Sequence, residues 1–358
     1  MSDLLHVVEE ETCMTFTSNR VWAVVSKENG YFESLKYGTN RGWKTVIESN
    51  TDFAKGLQVF RAPTDNDRHS PTAIGDHGWL KMGLDQMKHE CKECALIEKN
   101  KDCAKIKIHH IYRCADWENT GFHHYVVCCI YGDGHIAEEQ YVQPFGELGI
   151  LPRVGIRMPV NETFSQVDYF GLGPKENYPD RLSGTYLGRF SGTVRELEEP
   201  YIRPQENGSR GRVSYVTLTD KDGEGILVTG ERPFAFSALP YSAEQLNRVR
   251  HRSELEEEKM TILSIDWKRN GLGNSSCGTD VLEKYRLYPT ESHFVMELMP
   301  YEKTENPFSC TGCRMENGEV EKYFSIDHTI SLHPHQEEKR MPFDPSDLIE
   351  RMKAGFRQ

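Results

Sequence analysis

Apolar and polar residues alternate with a period of two along most of this chain. Val154, Ile156, Met158 and Val160 alternate with Arg153, Gly155, Arg157 and Pro159. Leu263, Ile265 and Trp267 alternate with Ser264 and Asp266, and Phe294, Met296 and Leu298 with His293, Val295 and Glu297. Successive side chains of a strand point to opposite faces, so each run predicts a strand with one face on a core and one toward water or a partner. Turn signals separate the runs at Gly132-Asp-Gly134, Asp222-Gly223 and Asn317-Gly318. Strands interrupted this often predict antiparallel sheets packed as an all-β sandwich.

Helix signals are few. Ser242-Ala-Glu-Gln245 has the capping-box spacing and opens a short segment that buries Leu246 and Val249. Asp344-Pro345-Ser-Asp347 supplies an N-cap, a proline at the first helical position and an acid in the first turn. Leu348, Ile349, Met352 and Phe356 then follow at helical spacing, which predicts a C-terminal helix whose apolar stripe must dock on this domain or another chain. No internal repeat or low-complexity segment interrupts the chain. The composition changes after Tyr301, where Cys310-Thr-Gly-Cys313 begins a tail that runs through His333-Pro-His-Gln-Glu-Glu-Lys-Arg340. Residues 1–301 read as one domain, and 302–358 as an extension with a further strand or two and the terminal helix.

Length and charge narrow the function. A chain of 358 residues suffices for one large all-β domain or two ordinary ones. The net charge of −12 repels phosphate backbones and anionic lipid, so neither nucleic acid nor membrane is an expected partner. No apolar run approaches the roughly 20 residues that span a bilayer. The first residues have no basic start, apolar stretch or small-residue cleavage site, and are not read as a secretory signal. Ten scattered cysteines suit a reducing compartment better than a disulfide framework, so the expected location is cytoplasmic. The glycosylation patterns at Asn161, Asn207 and Asn274 would then go unused.

Four stretches say more than composition can. They are Phe60-Arg-Ala-Pro-Thr-Asp-Asn-Asp67, Gly171-Leu-Gly-Pro-Lys-Glu-Asn-Tyr-Pro-Asp-Arg181, Tyr201-Ile-Arg-Pro-Gln-Glu-Asn-Gly208 and Gly271-Leu-Gly-Asn-Ser-Ser-Cys-Gly278. In this order and spacing the chain, from about Val21 to about Tyr301, resembles the last domain of glycoside hydrolase family 2 β-galactosidases, known on its own as the small chain. The resemblance implies a large antiparallel β-supersandwich of the galactose mutarotase-like kind. It also implies a non-catalytic role. Retaining glycosidases need two carboxyl groups roughly 5 Å apart, and in this family both glutamates sit on a TIM barrel preceding the module. A barrel needs about 250 residues and eight alternating βα units, and the present pattern contains neither. The chain is therefore expected to be inactive alone and to complete the galactose site and oligomer of a barrel-bearing large chain that hydrolyses β-galactosides such as lactose. No cofactor is expected here, and any requirement for Mg and Na belongs to the partner catalytic domain.

In the family, a loop of this module reaches over the galactose pocket, and in an enterobacterial member a tryptophan there stacks on the sugar. The matching loop here is Gly271–Gly278, with Asn274, Ser275, Ser276 and Cys277 as candidate pocket residues. Cys277 stands at the tryptophan position and offers only a small, polarizable contact.

Other residues carry alternative readings. Asp65, Asn66 and Asp67 supply hard oxygens for a cation or sugar hydroxyl, but the expected reading is a turn whose side chains cap their own backbone; Arg61 is placed to hold one acid through a two-pronged pair. Glu176, Asn177, Asp180 and Arg181 read as a pocket lining or as a network fixing a long loop. Glu206 and Asn207, between Pro204 and Gly208, sit on a turn that can face a ligand. Cys91-Lys-Glu-Cys94 and Cys310-Thr-Gly-Cys313 together have the ligand count of a structural zinc site, yet only the fold can unite pairs more than two hundred residues apart; free cysteines are the expectation. Histidines 109, 110, 123, 124 and 251 leave open a stand-alone mutarotase-like aldose-binding protein, with His251 as acid and Glu176 or Glu206 as base. A carbohydrate-binding module is the remaining alternative.

Overall fold

Alternating apolar positions build two antiparallel sheets in the computed structural model, which describes residues 4–48, 55–115, 117–310, 314–315 and 317–328. The smaller sheet is a meander of β1 (His6–Glu9), β2 (Cys13–Thr17), β3 (Val21–Ser26), β4 (Phe32–Thr39) and β5 (Gly42–Ile47). The larger has twelve strands: β6 (Gly56–Gln58), β7 (Lys88–Lys99), β8 (Cys103–Cys114), β9 (Trp117–Tyr131), β10 (Ile136–Phe145), β11 (Arg153–Asn161), β12 (Gln166–Gly173), β13 (Tyr186–Thr193), β14 (Arg210–Thr219), β15 (Glu224–Leu239), β16 (Met260–Arg269) and β17 (Ser292–Glu302). Its main path runs β13-β12-β14-β15-β17-β10-β9-β8-β7, while β16 bridges β15 to β11 and β11 pairs with β6. The expected turns at 132–134 and 222–223 close the β9–β10 and β14–β15 hairpins, with Gly134 and Gly223 in the left-handed region.

One apolar cluster joins the sheets. Phe16, Val21, Ala23 and Leu35 of the meander share it with Ile106, Val126, Ile130, Val216, Ile226, Leu263 and Phe294 of the larger sheet, all essentially inaccessible to water. Helices are short: α1 (Pro71–Ile74), α2 (Val194–Leu197), α3 (Ala243–Arg248) and α4 (Glu319–Tyr323). Ser242 caps α3 by accepting from the Gln245 amide at 3.2 Å, and Leu246 and Val249 are buried as the pattern predicts.

Two expectations change. The polar faces of β16 and β17 do not meet water: Ser264, Asp266 and Glu297 are all buried. Asp266 turns into a network of arginines, described below. Over β17, β10 and β9 the chain folds back on itself: Met315 and Val320 pack with Tyr125, Val127, Ala137 and Val295. Buried Glu139 fastens this segment by accepting from the amides of Gly318 and Val320, each at 2.7 Å. The second change concerns the extension, whose described part holds no further strand. Pro307, which lacks an amide donor, opens a 3-10 turn (Pro307–Cys310), and Gly318 at φ +101° leads into α4 instead of closing a hairpin. The helix expected over Asp344–Phe356 lies outside the described residues, as do Cys313 and the side chain of Cys310.

Candidate functional site

Residues 60–69, 174–181, 199–209 and 270–280 are loops and turns at one end of the larger sheet, and hydrogen bonds tie them together. Arg61 follows β6 and is buried. Its Nε and Nη2 donate to the two Asp67 carboxylate oxygens at 3.0 and 2.7 Å, a planar fork on a planar acceptor. The same guanidinium donates to the carbonyls of Asn270 at 3.2 Å and Gly271 at 3.0 Å. Burial opposes its charge, but the Asp67 charge and hydrogen bonds prevail, and the Arg61 pKa is raised. Asp67 also accepts from the Thr64 amide at 3.0 Å, which closes the 64–67 turn.

Arg153 repeats the device. Its Nε donates to Asp266 at 2.9 Å, its Nη2 to the other Asp266 oxygen, and its Nη1 lies 3.3 Å from Glu206. Burial raises the Glu206 pKa and neighbouring Asp266 adds to that, while Arg153 and Arg61 hold it down. Buried Asn177 donates to the Leu172 carbonyl at 3.1 Å and accepts from the Gly211 amide at 2.9 Å. Buried Asn207 accepts from the Glu199 amide at 3.2 Å and donates to the Gln205 carbonyl at 3.0 Å. Glu176 accepts from the Gly208 amide at 2.7 Å and from the Tyr201 hydroxyl. Its pKa is raised by burial, which outweighs those two donors.

This frame holds the 271–278 loop from two sides. Asp180 accepts from the amides of Leu272 and Gly273 at 2.9 and 2.8 Å. Arg181 donates to the Gly273 carbonyl and, at 2.9 Å, to Asn274 Oδ1. From the opposite side Asn66 donates to the Gly273 carbonyl at 2.6 Å and accepts from Ser276 Oγ at 2.5 Å. Gly273 itself needs φ +64°, a region costly for a side chain. Ser275 is half-buried beside Asp280, whereas Asn274, Ser276 and Cys277 are exposed at the tip. The frame's acids are occupied by arginines and amides, so the chemistry presented outward is an amide, a hydroxyl and a thiol. Asp65 is exposed beside the turn.

His251 is not part of this cluster; it is exposed ahead of the 3-10 turn Arg252–Glu254. None of the other histidines bonds Glu176 or Glu206; His124 bonds Gln140 instead. His110 and His124 line a cavity of about 90 Å³ between the sheets, together with Tyr31, Glu138, Gln140 and Arg157. His124 Nε2 lies 2.5 Å from Gln140 Oε1, and Gln140 Nε2 donates to Glu138 at 2.6 Å. Burial pushes Glu138 up to about 7 and His124 down to about 4. His109 pairs with His123 at 3.0 Å on the outer face of the sheet. Cys91 and Cys94 lie on β7, and among the described residues no three of His, Cys, Asp and Glu converge as metal ligands.

The sequence comparison decides what this frame belongs to. The family model described as "Beta galactosidase small chain" matches residues 17–298, a span that contains all four loop segments. The chain belongs to the β-galactosidase small-chain family. Its relatives include the β-galactosidases of Actinobacillus pleuropneumoniae, 30% identical over 283 residues, and of Priestia megaterium, 28% identical over 292 residues. These alignments cover 78% and 81% of this chain but 26% of each relative, so the chain spans about a quarter of the length of the β-galactosidases it matches. Among solved structures, a GalM/aldose epimerase homologue from C. elegans superposes with a TM-score of 0.44 at 9% identity, covering 84% of this chain and 99% of that one. A galactose 1-epimerase from Lactobacillus acidophilus superposes with the same score at 10% identity, covering 84% and 99%. The small-chain match ends at residue 298, so the segment that covers the outer face of β9, β10 and β17 lies beyond it.

The frame's second arginine pair was hidden in the strand pattern. Arg153 and Asp266 occupy the polar positions of β11 and β16, and alternation alone sends such positions to water. Paired opposite charges on neighbouring strands were the available signal, but a bulge at Val154/Gly155 obscures their register.

Proposed function

We propose that this chain is the non-catalytic small-chain part of a retaining β-galactosidase, which completes the galactose site of a barrel-bearing partner and helps hold an oligomer together. The partner supplies both catalytic glutamates and any Mg or Na, and the substrate class is terminal β-D-galactosides. The observation that carries this reading is the 17–298 small-chain match in a chain spanning a quarter of its β-galactosidase relatives. The loop geometry supports it. A charge-compensated frame holds Asn274, Ser276 and Cys277 outward, as a part that finishes another chain's pocket requires. Cys277 then lines the sugar with a small contact and excludes water. Exposed apolar residues on this same chain, Tyr186 (61%), Ile202 (92%) and Leu282 (56%), supply docking surface, and a stable partner interface buries over about 1,000 Å² in total. Among the described residues no helix is long and apolar enough to cross a membrane, and a cytoplasmic assembly is the setting we propose.

Hydrolysis of a chromogenic β-galactoside tests the reading, with the chain alone and after mixing with a large chain that lacks its own small-chain quarter. Activity is expected only in the mixture. Turnover by the isolated chain contradicts the completing role.

A second reading has one observation in its favour. His124 and Glu138, each hydrogen-bonded to Gln140, put a base and an acid on one cavity, as an aldose-binding or mutarotase-like protein needs. Polarimetric acceleration of galactose anomerisation, lost in Glu138→Gln, is its signature.

A further inference from the structure

Arg61, Arg153 and Arg181 of the loop frame pair with acids, and Arg210 and Arg269 donate to carbonyls and to Ser209, but Arg68 at the rim is left differently. Arg68 follows the Arg61–Asp67 turn, and its Nε and Nη2 are shielded from water with no hydrogen-bond partner among the described residues. Arg203 belongs to the adjoining Tyr201–Gly208 segment, is exposed, and forms no ion pair among the described residues. The two segments are stitched together: the Asp65 amide donates to Gln205 Oε1 at 2.8 Å, and the Glu206 amide to the Ala62 carbonyl at 3.0 Å. The two like charges therefore sit close enough to act on each other, and Arg203, after burial, is what most disfavours the charge on Arg68. The Asp65 and Asp67 charges offset this only in part: neither forms an ion pair with Arg68 or Arg203 among the described residues, and both Asp67 oxygens are engaged by Arg61.

Guanidinium N–H groups removed from water without an acceptor cost free energy, and a second cation beside them adds to that cost. Such an arrangement is stable in an assembly that delivers an anion. The surroundings indicate a macromolecular source. Ile202, next to Arg203, is 92% exposed, and Tyr201 is exposed beside it, so an apolar contact adjoins the cationic one. The 271–278 loop is continuous with this rim, since Asn66, two residues before Arg68, carries Ser276. About three quarters of a β-galactosidase lies outside this chain.

We infer that Arg68 and Arg203 form a receptor for a carboxylate side chain of the barrel-bearing polypeptide, with Ile202 as the apolar anchor beside it. The inference rests on the small-chain reading above and adds the chemistry by which the partner is recognised. The acid pairs with exposed Arg203, offsets the repulsion between the two cations and sets the 271–278 loop in register over the partner's sugar pocket.

The test is association of the full chain with the β-galactosidases of Actinobacillus pleuropneumoniae and Priestia megaterium from which the matching quarter has been removed, followed by sedimentation and calorimetry. Arg203→Glu is expected to weaken association about tenfold or more, and wild-type association to weaken with added salt more steeply than that of Arg203→Gln. Lys99→Glu, the same charge change on the β7–β8 hairpin, is expected to leave it unaltered. Arg203 is exposed, so its variants fold, and thermal melting of the isolated chain verifies this. Equal weakening by Lys99→Glu and Arg203→Glu overturns the inference, because total charge alone then governs docking. Normal association of Arg203→Glu overturns the inference while leaving the small-chain reading intact. A wild-type chain that binds neither partner overturns both. Self-association of the wild-type chain that Arg203→Glu abolishes, with partner binding unchanged, overturns it in favour of a second copy as occupant.

Discussion

The two buried polar clusters of this sandwich neutralise charge in opposite ways. In the loop frame, Asp67 and Asp266 each face an arginine fork and act as struts. Between the sheets, Glu138 meets a glutamine instead of a cation, and burial pushes its pKa up to about 7. The first arrangement fixes one geometry, which suits the presentation of a loop to a partner. The second changes protonation near neutrality. Burial alone therefore says little about a polar group's role; the charge of its nearest partner separates scaffold from titratable site.

Removing a cation from the frame is the strongest way to break this contrast. Arg61→Met strands Asp67 without its counter-charge, and the expected loss is about 3–5 kcal/mol of unfolding free energy in urea titrations. Adding Asp67→Leu is expected to return most of it, since replacing both partners by apolar groups removes the desolvated charge. A cost no larger for Arg61→Met than for a surface substitution would sink the strut assignment.

Glu138 gives the next effect, and its sign follows from the direction of its shift. In the unfolded chain the carboxyl loses its proton near 4.5, and in the folded chain only near 7. This group thus favours the folded state in acid, and that contribution is lost as pH rises from about 4.5 to about 7. Glu138→Gln removes the dependence, so the variant should gain on the wild type across this window by about 2–4 kcal/mol. His89, His109 and His124, each lowered to about 4, tilt stability in the opposite direction in both proteins, so the difference between them isolates Glu138. A difference that stays flat with pH would place Glu138 among ordinary carboxylates.

The smallest effect is local. Asn66→Ala deletes the hydrogen bonds to Gly273 and Ser276, at an expected cost of about 1–2 kcal/mol. Hydrogen exchange should quicken at the amides of 274–278 while those of β8 and β9 stay protected. Uniform exchange changes across the chain would mean that Asn66 supports the whole end of the sandwich rather than one loop.

Strand positions were legible because alternation has a short period: Val154 to Val160 fall in β11, Leu263 to Trp267 in β16 and Phe294 to Leu298 in β17. The fate of their polar faces was not legible. Asp266 reads as a water-facing residue until the fold sets Arg153 against it, and His293 and Glu297 read so until the segment carrying Met315 and α4 packs over that face. The loop segments were visible as motifs, and Arg61 was expected to hold one of the acids beside it, which the fold makes Asp67. That His124 bonds Gln140, and not Glu176 or Glu206, depends on the β9–β10 pairing, where His124 stands opposite Val142 and neighbours Gln140 across the strands. Long-range register of that kind has no local sequence signal.

The central claim is that the 271–278 loop faces a partner's sugar site, and the exposed Cys277 thiol reports on it directly. Alkylation of Cys277 would be followed by peptide mass spectrometry in the isolated chain and after addition of the barrel-bearing chain and a galactose-type inhibitor. The thiol should react freely alone and become protected in the complex, most completely with inhibitor bound. Unchanged reactivity in a complex shown to have formed would contradict the account, because the loop would then point away from the sugar.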